Sequence, residues 1–228
     1  MVSVPLGIRL TSDVNKSIGI IGGSGPAGRG LAVRLASAGY NVVLGSRDAD
    51  RAGQVASALT WRGQGTVTGG TNEDAAESDV VILATPWDSA VSTVVSLRKQ
   101  LVGKVVISMV NALQKQGREL VPMFPARGSM AAEVAAALPA SKVTGAFHHL
   151  PAADMENLDS GLDADVMVIG DDVEARTLTV EITDAMDGLR AVEVGSLSLA
   201  GAVESFTAVC ITTNIRHKAH TYVKLAGL

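Results

Sequence analysis

Residues 23–28 read Gly-Ser-Gly-Pro-Ala-Gly, directly after a short apolar run, SIGIIG, at 17–22. Beyond them, Ala27, Leu31, Leu35 and Ala38 recur at helical spacing until Gly39 ends the pattern. A lone G-x-G-x-x-G means little. Between a strand and the helix it opens, the same pattern is the fingerprint of a dinucleotide-binding strand–helix–strand unit. Gly23 is expected to make the tight turn, Gly25 to let a pyrophosphate approach the backbone, and Gly28 to let the helix pack on the strand. Pro26 suits the first helical turn, where its missing N–H has no intrahelical acceptor to lose. The free N–H groups there, with the helix dipole, hold phosphate. The plain alternative is a strand–turn–helix without a ligand, and the context weighs against it.

The rest of the chain repeats the alternation. Strands are expected at 17–22, 41–44, 66–68, 79–84, 104–109 and 142–147, with helices at 26–38, 50–59, 72–78, 86–97 and 130–138. Runs such as DVVILA and KVVISM are apolar throughout, as strands covered on both faces require. The expected fold is α/β: a doubly wound (Rossmann) parallel sheet with a small C-terminal α/β part packed on it. Residues 1–16 read as an N-terminal arm, 17–147 as the nucleotide-binding domain and 148–228 as a smaller C-terminal domain. The last part holds strands at 165–169 and 191–194 and a helix at 173–186, then a mostly helical tail over 195–228. That is too little for an independent core, so it is expected to pack on the far edge of the sheet.

The end of the second strand narrows the ligand. Residues 41–51 read NVVLGSRDADR. An NAD site carries an acid there for the ribose hydroxyls; this chain has Ser46, Arg47 and, a helical turn on, Arg51. A hydroxyl and two guanidinium forks suit a phosphate dianion. The reading is NADP rather than NAD, against the alternative that both arginines pair with Asp48 or Asp50. Thr85 and Trp87 follow the fourth strand, where the nicotinamide half belongs, though Trp87 also fits a buried core aromatic. His148 follows the sixth strand at the cleft rim, either bonding substrate or carrying a proton, or simply capping the strand end. His217 and His220, three apart near the C-terminus, read as a solvated helix face and not a metal pair.

Composition closes other doors. The net charge of -4 argues against nucleic acid as a partner. The one cysteine, Cys210, excludes an internal disulfide framework and a cysteine-built zinc site. No apolar run is long enough to span a membrane, and no signal peptide is visible, so the expected setting is the cytoplasm. No metal is expected. A nucleophile elbow and paired catalytic carboxylates are also missing, which points to hydride transfer between cofactors, a step that needs positioning above all.

The segments IIGGSGPAGRGLAVRLASAG, VVLGSR, NEDAAESDVVILATPWDSA, HHLPAADMENLD, GDD and MDGLR, with AVES further on, resemble the NADP-dependent reductases of the deazaflavin coenzyme F-420. The resemblance runs from about residue 17 to the C-terminus. It implies hydride exchange between C5 of the deazaflavin and C4 of the nicotinamide, stacked in one cleft. Carried over, Ser24, Gly25, Pro26 and Ala27 bind the pyrophosphate, and Ser46, Arg47 and Arg51 the 2′-phosphate. Trp87, Val91 and Val110 line the cofactor groove, and His148, Leu150 and Pro151 face the deazaflavin. The segment SMVNALQKQG and His149 depart from the family pattern. The anionic tail of the coenzyme calls for cations, with Lys115, Arg118, Arg127, Arg216 and Lys218 as candidates. The C-terminal apolar residues Val203, Phe206, Val209 and Cys210 suggest a homodimer. Two other readings of the residues stay open: an NADP-dependent reductase of a small carbonyl or imine, with His148 as its acid, and an NADP sensor without chemistry.

Overall fold

The computed structural model describes residues 16–228; the expected arm, apart from Lys16, lies outside the described residues. The strands are β1 (Ser17–Ile21), β2 (Asn41–Ser46), β3 (Thr66–Thr71), β4 (Val80–Leu83), β5 (Val105–Ser108), β6 (Leu113–Gln116), β7 (Glu119–Pro122), β8 (Lys142–Gly145), β9 (Ala164–Gly170) and β10 (Leu189–Gly195). The helices are α1 (Pro26–Ser37), α2 (Ala49–Ala58), α3 (Asn72–Ala76), α4 (Trp87–Ser96), α5 (Arg98–Leu101), α6 (Met130–Ala137), α7 (Ala152–Glu156), α8 (Val173–Asp184) and α9 (Ala200–His217).

Eight strands form one sheet in the order β10-β9-β8-β5-β4-β1-β2-β3. The chain runs outward from β1 through β2 and β3, then returns to place β4 on the other side of β1. That reversal opens a crevice at the carboxyl ends of β1 and β4, where ligands of such sheets bind. Strand alternation divides the core. Ile18, Ile20, Val80 and Ile82 face α1 and α8, with Leu31, Leu35 and Ile182. Ile21, Val81 and Leu83 face α4 and α6, with Val94 and Val134. Gly19 is where α3 comes closest: a Cβ there would lie 1.8 Å from the carbonyl oxygen of Ala75.

The C-terminal part extends this sheet at the expected edge. The pairing of β8 with β9 is antiparallel, so β9 and β10 run against the rest. The connection holds only α7 and a loop, and no helix carries the chain back across the sheet to restore direction.

After β5, where the sequence carried no expectation, the chain forms a hairpin, β6–β7, turning at Gly117 (φ 61). One expectation needs correction. The tail is not helical to its end: α9 stops at Lys218, in the left-handed conformation (φ 51), and His220 lies beyond it. Residues 219–228 then run along β9. Asp165 N–H donates to the Val223 carbonyl (2.8 Å), and the Asp165 carboxylate accepts from Arg190 Nε (2.8 Å), Arg190 Nη2 (2.6 Å) and Leu225 N–H (2.6 Å). Arg190 chiefly holds that carboxyl down at about 2, against the opposing effect of burial. The staple is therefore intact across the physiological pH range.

Candidate active site

A cleft of about 770 Å³ opens at the carboxyl ends of β1, β2 and β4. Ser24, Gly25, Pro26, Ala27, Gly28, Ser46, Arg47, Arg51 and Thr85 all line it. The glycine loop divides its labour differently from the expectation. The left-handed residue is Gly22 (φ 73), whose N–H donates to Asn72 Oδ1 at 3.0 Å. Gly23 is required for room, because a Cβ there would meet the Ile20 carbonyl oxygen at 2.7 Å and Leu44 Cδ2 at 2.8 Å. Gly28 packs against Gly23, whose oxygen would lie 2.4 Å from an added Cβ. Gly25 differs from both: the nearest protein atom to a Cβ is the Gly22 oxygen, at 3.7 Å. The fold does not need glycine at 25; the absent Cβ leaves the backbone there open to the cleft. Pro26 opens α1 and no side chain caps it, which leaves the first-turn N–H groups directed at the cleft.

Arg47 and Arg51 are exposed along the same cleft. Among the described residues neither guanidinium has an ion-pair partner. The Asp48 carboxylate is turned to α2, where it accepts the Arg51 backbone N–H at 3.0 Å. Ser46 Oγ accepts from Asp48 N–H at 3.2 Å, so its own hydrogen remains available. Thr85 lines the cleft, and its Oγ1 is buried and without a hydrogen-bond partner among the described residues. On the opposite wall, the hydroxyls of Ser89, Ser92 and Ser96 of α4 donate back to carbonyls of Pro86, Ser89 and Thr93. A bare Gly25 backbone, two unpaired arginines and an orphaned hydroxyl fit a dinucleotide with an extra phosphate.

A second cleft, about 360 Å³, meets the first at Ala27. Its walls include Met109, Phe147, His148, His149, Leu150 and Pro151, together with Thr207, Cys210, Ile211 and Asn214 from α9. Phe147 carries a positive φ of 67 and turns the chain sharply out of β8, a strain that the surrounding bonds must hold. Asn111 provides several of them. Its Oδ1 lies 3.1 Å from His148 Nδ1 and accepts from Thr207 Oγ1 at 3.1 Å, while its Nδ2 lies 3.4 Å from the His148 carbonyl. Nothing local in the sequence marks Asn111 or Thr207, which are 96 residues apart.

His148 is 6 % exposed. Burial, and secondarily the neighbouring His149, pushes its pKa down to about 3, and its Nε2 has no partner. That nitrogen lies beside Gly145, 3.1 Å from where a Cβ would stand. His149 Nε2 donates to the Val203 carbonyl at 2.7 Å, and its ring meets the Phe206 ring edge-on. Trp87 is 38 % exposed, not a core aromatic; Val110 is buried, and Val91 is half-buried against the same core. None of these three lines either cleft. The expected cations also stand off: Arg216 pairs with Glu119 and Arg127 with Glu133, and neither these nor Lys115, Arg118 and Lys218 line the second cleft. His220 is tied to Asp154 at 2.8 Å, and not to His217. Among the described residues no three His, Cys, Asp or Glu side chains group as metal ligands, and no helix is long and apolar enough to cross a membrane.

Comparison with known proteins agrees with this geometry. Residues 17–112 match the family model described as NADP oxidoreductase, coenzyme F420-dependent. The F420-dependent NADP reductase of Methanocaldococcus jannaschii is 36% identical over 222 residues, 92% of this chain and 98% of that one. Its counterpart in Methanothermobacter thermautotrophicus is 35% identical over 219 residues, 92% and 93% of the two chains. A solved structure from Arthrobacter sp. FB24, provisionally assigned the same activity, superposes with a TM-score of 0.79 at 21% identity, covering 93% of this chain and all of that one. With the fold, the phosphate loop and near full-length identity above 30% in hand, the chain belongs to the F420-dependent NADP reductase family.

Proposed function

We propose that the chain transfers a hydride between NADP(H) and coenzyme F-420, in the direction set by the ratio of the two cofactors. When bound, the cofactors supply the hydride chemistry, at C4 of the nicotinamide and C5 of the deazaflavin. The chain's own residues bind, orient and exclude water. Ser24, Gly25, Pro26, Ala27 and Gly28 take the pyrophosphate, with Gly23 shaping the loop; Ser46, Arg47 and Arg51 take the 2′-phosphate. Thr85 borders the cofactor on the cleft wall after β4, and His148, Leu150 and Pro151 wall the deazaflavin. Trp87, Val91 and Val110 act from behind, through the packing of α4 and the loop after β5. On this reading residues 17–147 hold NADP and residues 148–228 close the deazaflavin cleft.

The observation that carries the proposal is the pair of clefts meeting at Ala27, one with unpaired arginines, the other lined by no Asp, Glu, Lys or Arg side chain. A carbonyl or imine reductase needs a group to protonate its product, and His148 is held neutral far below neutral pH. A sensor has no use for the second cleft. The test is NADPH-driven bleaching of the visible band of F-420, followed in wild type and His148→Ala. Because His148 stays neutral from pH 5 to 9, the variant is expected to keep more than about a tenth of wild-type turnover, with an unchanged pH profile. Loss of roughly 100-fold or more, the typical contribution of a general acid, would contradict a role for His148 confined to the cleft wall.

A cytoplasmic homodimer completes the proposal. Phe206 and Val209 on α9 are 45 % and 54 % exposed, and Phe124 beyond β7 is 75 % exposed. Sedimentation equilibrium is expected to give twice the mass of the chain; a monomer at micromolar concentration would refute the dimer.

A further inference from the structure

Helix α9 turns Thr207, Cys210, Ile211 and Asn214 toward the second cleft, at the spacing of a single helical face. Most polar side chains of that cleft are committed within the fold. His148 Nδ1 faces Asn111 Oδ1, His149 Nε2 faces the Val203 carbonyl, the Thr207 hydroxyl donates to Asn111 Oδ1, and the Thr221 hydroxyl donates to the Cys210 carbonyl. The Asn111 amide nitrogen faces two carbonyls.

Asn214 differs. Its Oδ1 accepts the backbone N–H of Thr221 at 2.7 Å. A backbone N–H can only donate, so this bond settles which end of the amide is oxygen. It also pins the amide where the chain leaves α9, beside the left-handed Lys218. Asn214 lines the cleft, and its Nδ2 carries two N–H donors for which no acceptor occurs among the described residues. Also on α9's side of the cleft are the Cys210 thiol, a weak donor, and the far nitrogen of His220, on a ring 57% exposed at the rim and tied to Asp154.

We propose that Asn214 is a specificity-determining residue for the deazaflavin, its Nδ2 donating to a carbonyl oxygen on the pyrimidine edge of the ring. The inference rests on reading the second cleft as the deazaflavin site. Met109, Phe147, Leu150 and Ile211 give the cleft apolar walls, and a ring carbonyl brought among them gives up its hydrogen bonds to water. A preset donor replaces that bond without ordering a mobile side chain. The carboxamide oxygen of nicotinamide has the same acceptor chemistry, and separate titrations distinguish the two.

Asn214→Asp keeps an oxygen for the Thr221 N–H and replaces Nδ2 by an oxygen of similar size. Binding is read by quenching of F-420 fluorescence and, separately, by NADPH fluorescence, with a thermal melt as the control for folding. The variant is expected to bind F-420 about 10-fold or more weakly, and NADPH within about twofold of wild type. Equal F-420 affinity in variant and wild type overturns the proposal. So does a loss of NADPH affinity as large as that of F-420. Wild type that binds NADPH and not F-420 overturns the assignment of the cleft itself, and the proposal with it. If the carboxylate prevents folding, Asn214→Ala is the second variant; the same selective loss supports the proposal, and wild-type F-420 affinity refutes it.

Discussion

Replacing Arg47 by Glu is expected to weaken NADPH binding roughly 100-fold and to change NADH binding by less than about threefold. Arg47 stands at the end of β2 with no ion-pair partner among the described residues, lining the same cleft as Ser46 and Arg51. Asp48, the nearest acid in sequence, is occupied in capping α2. Removing the guanidinium takes away charge-assisted bonds that only a 2′-phosphate can use, and the new carboxylate repels that phosphate. The same carboxylate stands where NAD enzymes keep an acid for the ribose hydroxyls, so NADH has something to gain. Fluorescence titration with both nucleotides reads the ratio. Equal loss for the two would mean that Arg47 supports the loop and not the phosphate.

The second large effect concerns stability. Arg34 lies on α1 and is 5 % exposed. Its guanidinium donates to the carbonyls of Met155 (3.1 Å), Asp187 (2.8 Å) and Asp154 (2.7 Å), with longer contacts to Asn157 and Ser160. Burial lowers its pKa, and the charges of Asp187 and Asp154 act in the opposite sense. The cation thus ties α7 and the turn before β10 to the phosphate-loop helix. Close approach is possible because Gly30 leaves no Cβ; one would stand 2.6 Å from Met155 Cβ. Arg34→Met fills similar volume but strips the carbonyls of their donors, and is expected to cost about 3 kcal/mol. For a chain of this size that lowers the melting temperature by roughly 10 °C. A melt within about 2 °C of wild type would show that water replaces the guanidinium without penalty.

These two arginines also mark what could and could not be read before the fold was known. The place of Arg47 on the cleft was legible because a strand, a glycine turn and a helix fix where the end of β2 stands relative to the glycine loop. Arg34 was not, since its partners lie more than a hundred residues away and an arginine within α1 carries no local sign of burial. The same holds for Asn111, Thr207 and Asn214, which meet only when α9 docks along the loops after β5 and β8. Strand existence was legible from apolar runs; strand direction was not, so the antiparallel joint between β8 and β9 went unseen. The hairpin β6–β7 was missed because its short strands, LQKQ and ELVP, are half exposed and offer no clean alternation. The end of α9 was missed because Lys218 adopts a backbone conformation usually left to glycine or asparagine.

The direct test is the absorbance of oxidised F-420 mixed with the purified protein and either NADPH or NADH. Bleaching with NADPH at least about 10-fold faster than with NADH is the expected result, from the unpaired arginines of the first cleft and the largely apolar second one. No bleaching with either nucleotide, while titration shows NADPH bound, would contradict hydride transfer between the two cofactors.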